Sequence, residues 1–330
     1  MSLSLRIVEV VPETADAVSI RFEPVSGELP PYRAGQFLTL RLPCAEGAVA
    51  RSYSLSIAPH EGGPWQVTVK RVAGGRGSNW LCDNAAEGLV LESLPPGGVF
   101  TPESDAEDLL LLAAGSGITP VLSILKSVLA NGTGRCALVY ANRDERSVIF
   151  ARELAALTQA HADRFTVVHW LESVQGLPTP ERLTALMAPW SRRPVFVCGP
   201  EPFMDAVGVA AGALGIERVC SERFVSMSAD PFAALSTSAD SAAASVEIDG
   251  ITHEFAWPRE RVLLDALLAR GVDAPYSCRE GACSACVCRV RDGEVKLLRN
   301  DVLEQEDLAD GYVLACQAVP VTDTVRISYD

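Results

Sequence analysis

The stretch 277-SCREGACSACVCRV-290 places Cys278, Cys283, Cys286 and Cys288 close together and surrounds them with Gly, Ala and Ser rather than core residues. Cys278, Cys283 and Cys286 stand as C-x4-C-x2-C, and Cys316 follows in GYVLACQAVP after 29 intervening residues. This is the plant-type [2Fe–2S] spacing. Two irons need four thiolates, and three supplied by one tight loop make that loop fold around the metal. Gly281, Ala282, Ser284 and Ala285 are small enough for backbone N–H groups to approach the cluster sulfurs, which stabilises their charge and tunes the potential. Cys288 is surplus to the four ligands and is expected to be a buried thiol. The alternative is structural zinc, but zinc motifs usually pair one C-x2-C with another, whereas here a three-cysteine loop is joined by one distant cysteine.

Working outward, residues 245–330 fit a small α+β ferredoxin domain of β-grasp type. ASVEIDGITHEFAW predicts a hairpin with Asp249-Gly250 as its turn. In the segment that follows, Leu263, Leu264, Leu267 and Leu268 form a helical apolar stripe, and Gly271 is the expected stop. Upstream, residues 229–244 are rich in Ala and Ser and poor in large apolar side chains, which predicts a linker. A tethered electron carrier needs a donor, so the rest of the chain should contain one.

A chain of 330 residues exceeds a single core and predicts a multidomain protein. The formal net charge of −14 gives no long-range attraction for nucleic acid or anionic lipid, so both are set aside as partners. The N-terminus reads as an alternating strand interrupted by Glu9, Pro12 and Glu13, without the basic and apolar regions of a secretion signal. The most apolar run, residues 109–130, contains Gly115, Ser116, Gly117, Pro120 and Lys126, so no membrane span is expected. The cysteines outside the cluster motif, such as Cys44, Cys136 and Cys220, are scattered through long hydrophobic-patterned sequence. This argues for a reducing cytoplasm rather than a disulfide framework.

Residues 105–228 alternate strands and helices, as in an α/β parallel-sheet nucleotide domain. LLLLAAGSGITPVLSIL runs from an apolar strand through a glycine turn into a helix; Gly115 and Gly117 let the backbone approach a ligand, Thr119 can cap the helix, and Pro120 suits its first turn. The motif is G-x-G-x-x-P and is weak taken alone. Later, PVFVCGPEPFMDAVGVAA repeats the pattern and brings Cys198 and Gly199 to a strand's carboxyl end, where open α/β sheets bind ligands. Residues 1–104 read as short strands broken by Gly and Pro, an antiparallel β-barrel. There Arg51 and Tyr53 share a strand face and could offer a flavin a cation and an aromatic surface, while Ser54 points the other way in an ideal strand. GGRGSNWLCD, with Arg76, Gly77 and Ser78, resembles a glycine-rich phosphate loop that opens a helix.

With these motifs in order, the chain resembles the flavin reductases of the ferredoxin–NADP reductase superfamily that carry a C-terminal plant-type ferredoxin. More narrowly, SNWLCD, LLLAAGSGITP, YANRDERSVIF, VVHWLESVQGLP and CREGACSACVCRV are similar to the reductase components of 3-ketosteroid 9α-hydroxylases. The reductases of phenylacetyl-CoA oxygenation are also similar. The resemblance implies Arg51 at the flavin phosphate, Tyr53 stacked on the isoalloxazine, Ser54 at its reactive edge, and Arg76, Gly77 and Ser78 at the pyrophosphate. It also implies Gly115, Gly117 and Thr119 at the nicotinamide nucleotide, Lys70 among the cofactor-binding residues, Cys198 and Gly199 near hydride transfer, and Glu222 and Phe224 at the domain's end. Without the family, Phe224 reads as core. Arg76 departs from the narrower group, and an FMN subgroup has a similar G-R-G-x-S loop; the resemblance favours FAD over FMN. Asn142, Arg143 and Asp144 lie where the adenosine ribose would be read; Asp suits a free 2′-hydroxyl and Arg a 2′-phosphate, and the family favours NADH.

The implied activity is an oxidoreductase passing electrons from NADH through FAD to the [2Fe–2S] cluster and on to a Rieske-type oxygenase, with the flavin converting electron pairs to singles. The catalytic candidates are Ser54, Cys198 and Glu222, and His60, His161, His169 and His253 are given surface or structural roles. The rivals are the reductase of another multicomponent oxygenase and a redox sensor without turnover, the latter excluded by rapid NADH-dependent reduction of an added acceptor. Asp301, Glu304, Glu306, Asp307 and Asp310 cluster before Cys316 and are either a docking face or a solvated helix.

Overall fold

The computed structural model describes residues 2–227, 230–232 and 240–329, and the chain divides into two compact units, Ser2–Phe224 and Val225–Asp330.

The first unit opens with six antiparallel strands, β1 (Leu3–Thr14), β2 (Ala17–Pro24), β3 (Phe37–Leu42), β4 (Val49–Ser54), β5 (Trp65–Lys70) and β6 (Val90–Ser93), with helix α1 (Arg76–Asn84) between the last two. Their order is β4-β3-β6-β1-β2-β5, and a bridge between Leu55 and Val67 joins the two edges into a barrel. The expected interruption at Glu9, Pro12 and Glu13 does not occur. β1 runs through all three, and register shifts between Ile7 and Glu9 and between Pro12 and Thr14 absorb the misfit as bulges. The interior is closed by side chains such as Ile20, Phe22, Leu38 and Leu40, all fully buried.

A parallel sheet follows, built from β7 (Leu109–Ala114), β8 (Cys136–Asn142), β9 (Phe165–Leu171), β10 (Val195–Cys198) and β11 (Val219–Glu222) in the order β11-β10-β7-β8-β9. The helices are α2 (Ile118–Asn131), α3 (Ala151–Ala160), α4 (Glu172–Gln175), α5 (Pro180–Met187) and α6 (Glu201–Ala213). The run LLLLAA is apolar throughout because β7 is buried on both faces. Leu109, Leu111 and Ala113 pack with α2 and α3, whereas Leu110, Leu112 and Ala114 pack with α5 and α6. The expectation that Thr119 caps α2 fails, since Gly117 holds the cap position and the buried Thr119 hydroxyl instead donates to the Ser116 carbonyl at 3.0 Å.

In the second unit, β12 (Ser241–Ile248), β13 (Ile251–Pro258), β14 (Val287–Asp292), β16 (Tyr312–Leu314) and β18 (Thr324–Tyr329) form a mixed sheet in the order β13-β12-β18-β14-β16. β15 (Val295–Leu297) and β17 (Ala318–Pro320) pair separately, and the helices are α7 (Leu263–Leu268) and α8 (Gln305–Ala309). Asp249 and Gly250 both take positive φ, 50° and 75°, as the predicted two-residue turn demands. Leu263, Leu264 and Leu267 are buried and Gly271 follows α7 at φ 76°. The linker expected over 229–244 is shorter. Ser241 to Ala244 already belong to β12, where Ala242 and Ala244 are buried at strand spacing. The inward face is lined with methyl groups rather than large side chains, which gave the composition of a tether. Residues 229 and 233–239 of that segment lie outside the described residues.

Candidate functional site

On the barrel, the period of β4 puts the half-buried Arg51 and Tyr53 side by side, and the N-terminus of α1 packs against them. A Cβ on Gly77 would stand 2.8 Å from Arg51 Cγ and 3.2 Å from Tyr53 Oη. Only glycine lets the helix backbone lie this close. The result is a cradle with a guanidinium-bearing side chain, an aromatic ring and free helix N–H groups, a chemistry suited to a flavin with its phosphates. Ser78 Oγ accepts from the Val72 N–H at 3.2 Å and so shapes the loop. Arg76 turns elsewhere; its Nη2 donates to the Gly47 carbonyl at 3.2 Å and its Nε lies 3.6 Å from Glu46.

Ser54 ends β4, which frees it from the Arg51–Tyr53 face, and its Oγ donates to Glu222 Oε2 at 3.0 Å across 168 residues of sequence. Glu222 ends β11 directly beside Cys198 in the parallel register. Burial pushes the Glu222 carboxyl up to about 8, offset in part by the Ser54 hydrogen bond, so at neutral pH it is mostly protonated. Its Oε1 has no hydrogen-bond partner among the described residues. Burial, reinforced by Glu222, also raises the Cys198 thiol, which makes it a poor nucleophile. The structure thus brings together the three residues expected at the reacting edge.

The nucleotide side is built by close backbone approach. A Cβ on Gly117 would meet the Cys198 carbonyl oxygen at 2.1 Å, and one on Gly199 would meet Ala114 Cβ at 2.9 Å. Gly115 takes φ 54°, and Lys70 Nζ lies 3.4 Å from where its Cβ would be. Asn142, at the carboxyl end of β8, is buried near the Tyr140 hydroxyl, and neither of its side-chain amide atoms makes a hydrogen bond of regular geometry among the described residues. An orphaned amide at the ligand edge of the sheet fits a nucleotide that would satisfy it. Asp144, by contrast, spends its Oδ1 on the Ser147 N–H at 2.9 Å, and Arg143 Nη2 donates to Asp16 Oδ2 at 2.6 Å. Asp16 carried no signal in the sequence, being one polar residue in a turn. Phe224 is 48% exposed, so the reading of it as core is wrong.

In the second unit four thiols converge. Arg279, Gly281 and Ser284 all take positive φ, which coils the loop around Cys278. The Glu280 and Ala282 N–H groups donate to Cys278 Sγ at 3.3 and 3.4 Å, the Cys278 N–H to Cys283 Sγ at 3.4 Å, and the Cys316 N–H to Cys286 Sγ at 3.5 Å. The sulfurs contact one another as Cys278–Cys283, Cys278–Cys316 and Cys286–Cys316. Hydrogen bonds from the Cys283 and Cys316 thiols hold Cys278 far below the usual thiol range. The Cys316 thiol likewise lowers Cys286, against burial, which raises it. Among the described residues no three His, Cys, Asp or Glu side chains are grouped to hold a single metal ion. A [2Fe–2S] cluster asks for two thiolates at each iron, and the pairs Cys278–Cys283 and Cys286–Cys316 meet that demand. Gln317, which the sequence did not single out, donates to the Arg279 carbonyl at 2.9 Å and reaches Cys316 Sγ at 3.8 Å. Cys288 is buried, as expected of a thiol outside the ligand set.

A flavin cradle on a barrel, a glycine-lined parallel sheet and a sulfur-directed loop define a pyridine-nucleotide-dependent flavin reductase that carries its own iron–sulfur domain. Family models match in the same order: an oxidoreductase FAD-binding domain over residues 6–101, an oxidoreductase NAD-binding domain over 111–208, and a 2Fe-2S iron-sulfur cluster binding domain over 246–321. The chain is 53% identical to the ferredoxin reductase component of 3-ketosteroid-9-alpha-monooxygenase from Rhodococcus rhodochrous, over 99% of this chain and 97% of that one. It is 34% identical to a component of 1,2-phenylacetyl-CoA epoxidase from Escherichia coli, over 99% and 97%. Among solved structures, phthalate dioxygenase reductase aligns over 99% of this chain and 98% of its own, with TM-score 0.61 and 26% identity. The chain belongs to the family of the 3-ketosteroid-9-alpha-monooxygenase ferredoxin reductase components, with FAD, NAD and [2Fe–2S] as its cofactors.

Proposed function

We propose that this reductase delivers electrons from NADH to the Rieske-type oxygenase component of a 3-ketosteroid 9α-monooxygenase system, in the cytoplasm. The observation that carries the steroid assignment is 51–53% identity to four such components over 99% of the chain, against 34% to the phenylacetyl-CoA relative. The cytoplasmic placement is supported by the six cysteines outside the cluster ligands, which form no disulfide among the described residues. No helix among the described residues is long and apolar enough to cross a membrane.

When bound, FAD accepts a hydride from NADH and the [2Fe–2S] cluster takes electrons one at a time. The chain's own residues prepare the sites. Arg51, with the N–H groups of Gly77 and Ser78, would hold the flavin phosphates, and Tyr53 offers its ring face. Ser54 and the protonated Glu222 keep a proton at the end of β4, next to the strand end that carries Cys198. Gly115, Gly117 and Gly199 keep side chains off the edge where the nicotinamide nucleotide would lie, with Lys70 and Thr119 beside it. Glu280 and Ala282 direct N–H groups at Cys278 and so stabilise thiolate charge. Hydride transfer requires no general acid or base, so the site works without a histidine.

The experiment is product formation from this protein, NADH, oxygen, the oxygenase component and a 3-ketosteroid. Hydroxylated steroid in proportion to NADH consumed is the expected result; NADH oxidation without hydroxylated steroid sends the search to another oxygenase. Docking through the exposed acidic side chains around α8 predicts that reduction of the oxygenase slows as salt rises, and a rate indifferent to ionic strength would exclude that face.

A further inference from the structure

Lys126 is buried in α2, 8% exposed, and has no part in the chemistry of the reacting edge. Its Nζ lies 2.6 Å from Glu61 Oε2 and 2.8 Å from Glu153 Oε1. Glu153 belongs to α3 of the nucleotide domain, whereas Glu61 closes a single 3₁₀ turn, Pro59–Glu61, between β4 and β5 of the barrel. One ammonium group therefore ties the two domains together. Ser123, one turn earlier on the same face of α2, makes a second tie with a neutral group. Its hydroxyl donates to the Ile57 carbonyl at 2.8 Å, and that carbonyl also accepts the Tyr32 hydroxyl at 2.8 Å. Glu61 Oε2 in turn accepts the Ala58 N–H at 2.6 Å, which fixes the backbone from Ile57 to Glu61.

Stability alone does not call for a lysine here. Ala34 and Phe100 of the barrel already share one buried apolar cluster with Val121, Ile124 and Leu125 of α2, and a buried ion pair generally adds no more stability than apolar side chains of similar volume. What the charged group adds is register, because it is satisfied only where both carboxylates are within reach at once. Register matters at the starts of the two clamped segments. Ser54, hydrogen-bonded to Glu222, precedes Ile57 by three residues; Gly117, at the nucleotide turn, precedes Ser123 by six, about 9 Å along the helix. We infer that Lys126 is a positioning residue for hydride transfer: by gripping Glu61 of the barrel from the nucleotide domain, it fixes the distance between the flavin edge at Ser54 and the nicotinamide at the Gly115–Gly117 turn. The inference rests on the reading that these two places hold the reacting rings.

The test mixes the flavin- and cluster-loaded full chain anaerobically with NADH or 4-deuterated NADH and follows flavin absorbance by stopped flow. It compares the parent, Lys126→Met, Glu61→Gln and Glu153→Gln. Methionine fills most of the lysine's volume, and the carboxylates left behind are 34% and 37% exposed, so water can replace the ammonium. The melting temperature of Lys126→Met should therefore hold or rise. The rate constant of flavin reduction at saturating NADH should nevertheless fall about tenfold in Lys126→Met and in Glu61→Gln, less than the roughly 10²-fold cost of a 1 Å misplacement, while the half-saturating NADH concentration stays as in the parent. The isotope effect should be at least as large as in the parent, and the long-wavelength charge-transfer absorbance of reduced flavin with NAD⁺ should weaken. Glu153→Gln leaves the tie to the barrel and should keep the parent rate, and Lys126→Met combined with Glu61→Gln should be no slower than either alone. If Lys126→Met and Glu61→Gln keep the parent rate and charge-transfer absorbance, or if all three variants lose rate and stability alike, the pair is structural only and the inference is overturned while the reading of the site stands. If Lys126→Met does not fold, Glu61→Gln decides the matter by the same measurements. A parent flavin that NADH does not reduce would overturn the reading of the site and the inference with it.

Discussion

In the unit from Val225 onward, the site is made of side chains, and three of its four donors come from one loop. In the unit Ser2–Phe224, the site is made largely of side chains that are missing: Gly77, Gly117 and Gly199 each stand where a Cβ would press on a neighbouring side chain or backbone. The first arrangement binds metal through specific atoms, with the residues between them supplying the N–H groups aimed at the sulfurs. The second binds large planar and phosphate-bearing ligands by bringing backbone close, and one added methyl group is felt. Loss of function should therefore look different in the two units, chemical in one and steric in the other.

The sharpest break is Cys283→Ser. It should abolish electron delivery to the oxygenase and the cluster's visible absorbance while NADH still reduces the flavin, as stopped-flow absorbance would show; loss of both would mean that the units are not separable. Next is Glu222. Its folded pKa of about 8 lies above the ordinary carboxylate value of 4.5, so between these limits the folded state holds a proton that the unfolded state has lost. The group's contribution is complete below about pH 4.5 and is lost as pH rises toward 8, an upper bound on the order of 5 kcal/mol. Glu222→Gln should flatten that fall in thermal unfolding followed from pH 5 to 8.5; parallel profiles would contradict the buried protonated acid.

Smaller effects separate the glycines. Gly117→Ala sets a methyl group against a backbone carbonyl that cannot yield and should cost about 1–3 kcal/mol by thermal unfolding. Gly281→Ala combines φ 74° with the Arg299 carbonyl at 2.9 Å and should cost about 1 kcal/mol, with reduced iron content on reconstitution. Gly77→Ala meets side chains rather than backbone, Arg51 Cγ at 2.8 Å and Leu42 Cδ1 at 3.0 Å, so stability should fall by about 1 kcal/mol, less than for Gly117→Ala, while FAD dissociates more readily, read by flavin fluorescence. Equal losses of stability in all three would erase the contrast between rigid and yielding neighbours.

The same contrast explains what the sequence disclosed. Cluster ligands lie close in the chain and their spacing is their geometry, so Cys278, Cys283, Cys286 and Cys316 were legible, as were the strand–helix alternation and the Asp249-Gly250 turn. The Ser54–Glu222 hydrogen bond and the Asp16–Arg143 pair join residues 168 and 127 positions apart, and no local pattern announces them. Family resemblance supplied Ser54 and Glu222, but nothing supplied Asp16. Ser241 to Ala244 misled for a different reason: a strand face lined with alanine has the composition of a linker and only the period-two burial of a strand. Thr119 has a capping residue's chemistry two positions too late, because the glycine turn puts the cap at Gly117.

The central claim is that one chain holds a two-electron centre and a one-electron centre, and an anaerobic reductive titration with dithionite tests it most directly. The account predicts about three electrons accepted per chain, two at the flavin and one at the four-thiol site, falling to about two in Cys283→Ser. Two electrons in the parent protein with iron and flavin fully loaded would contradict it.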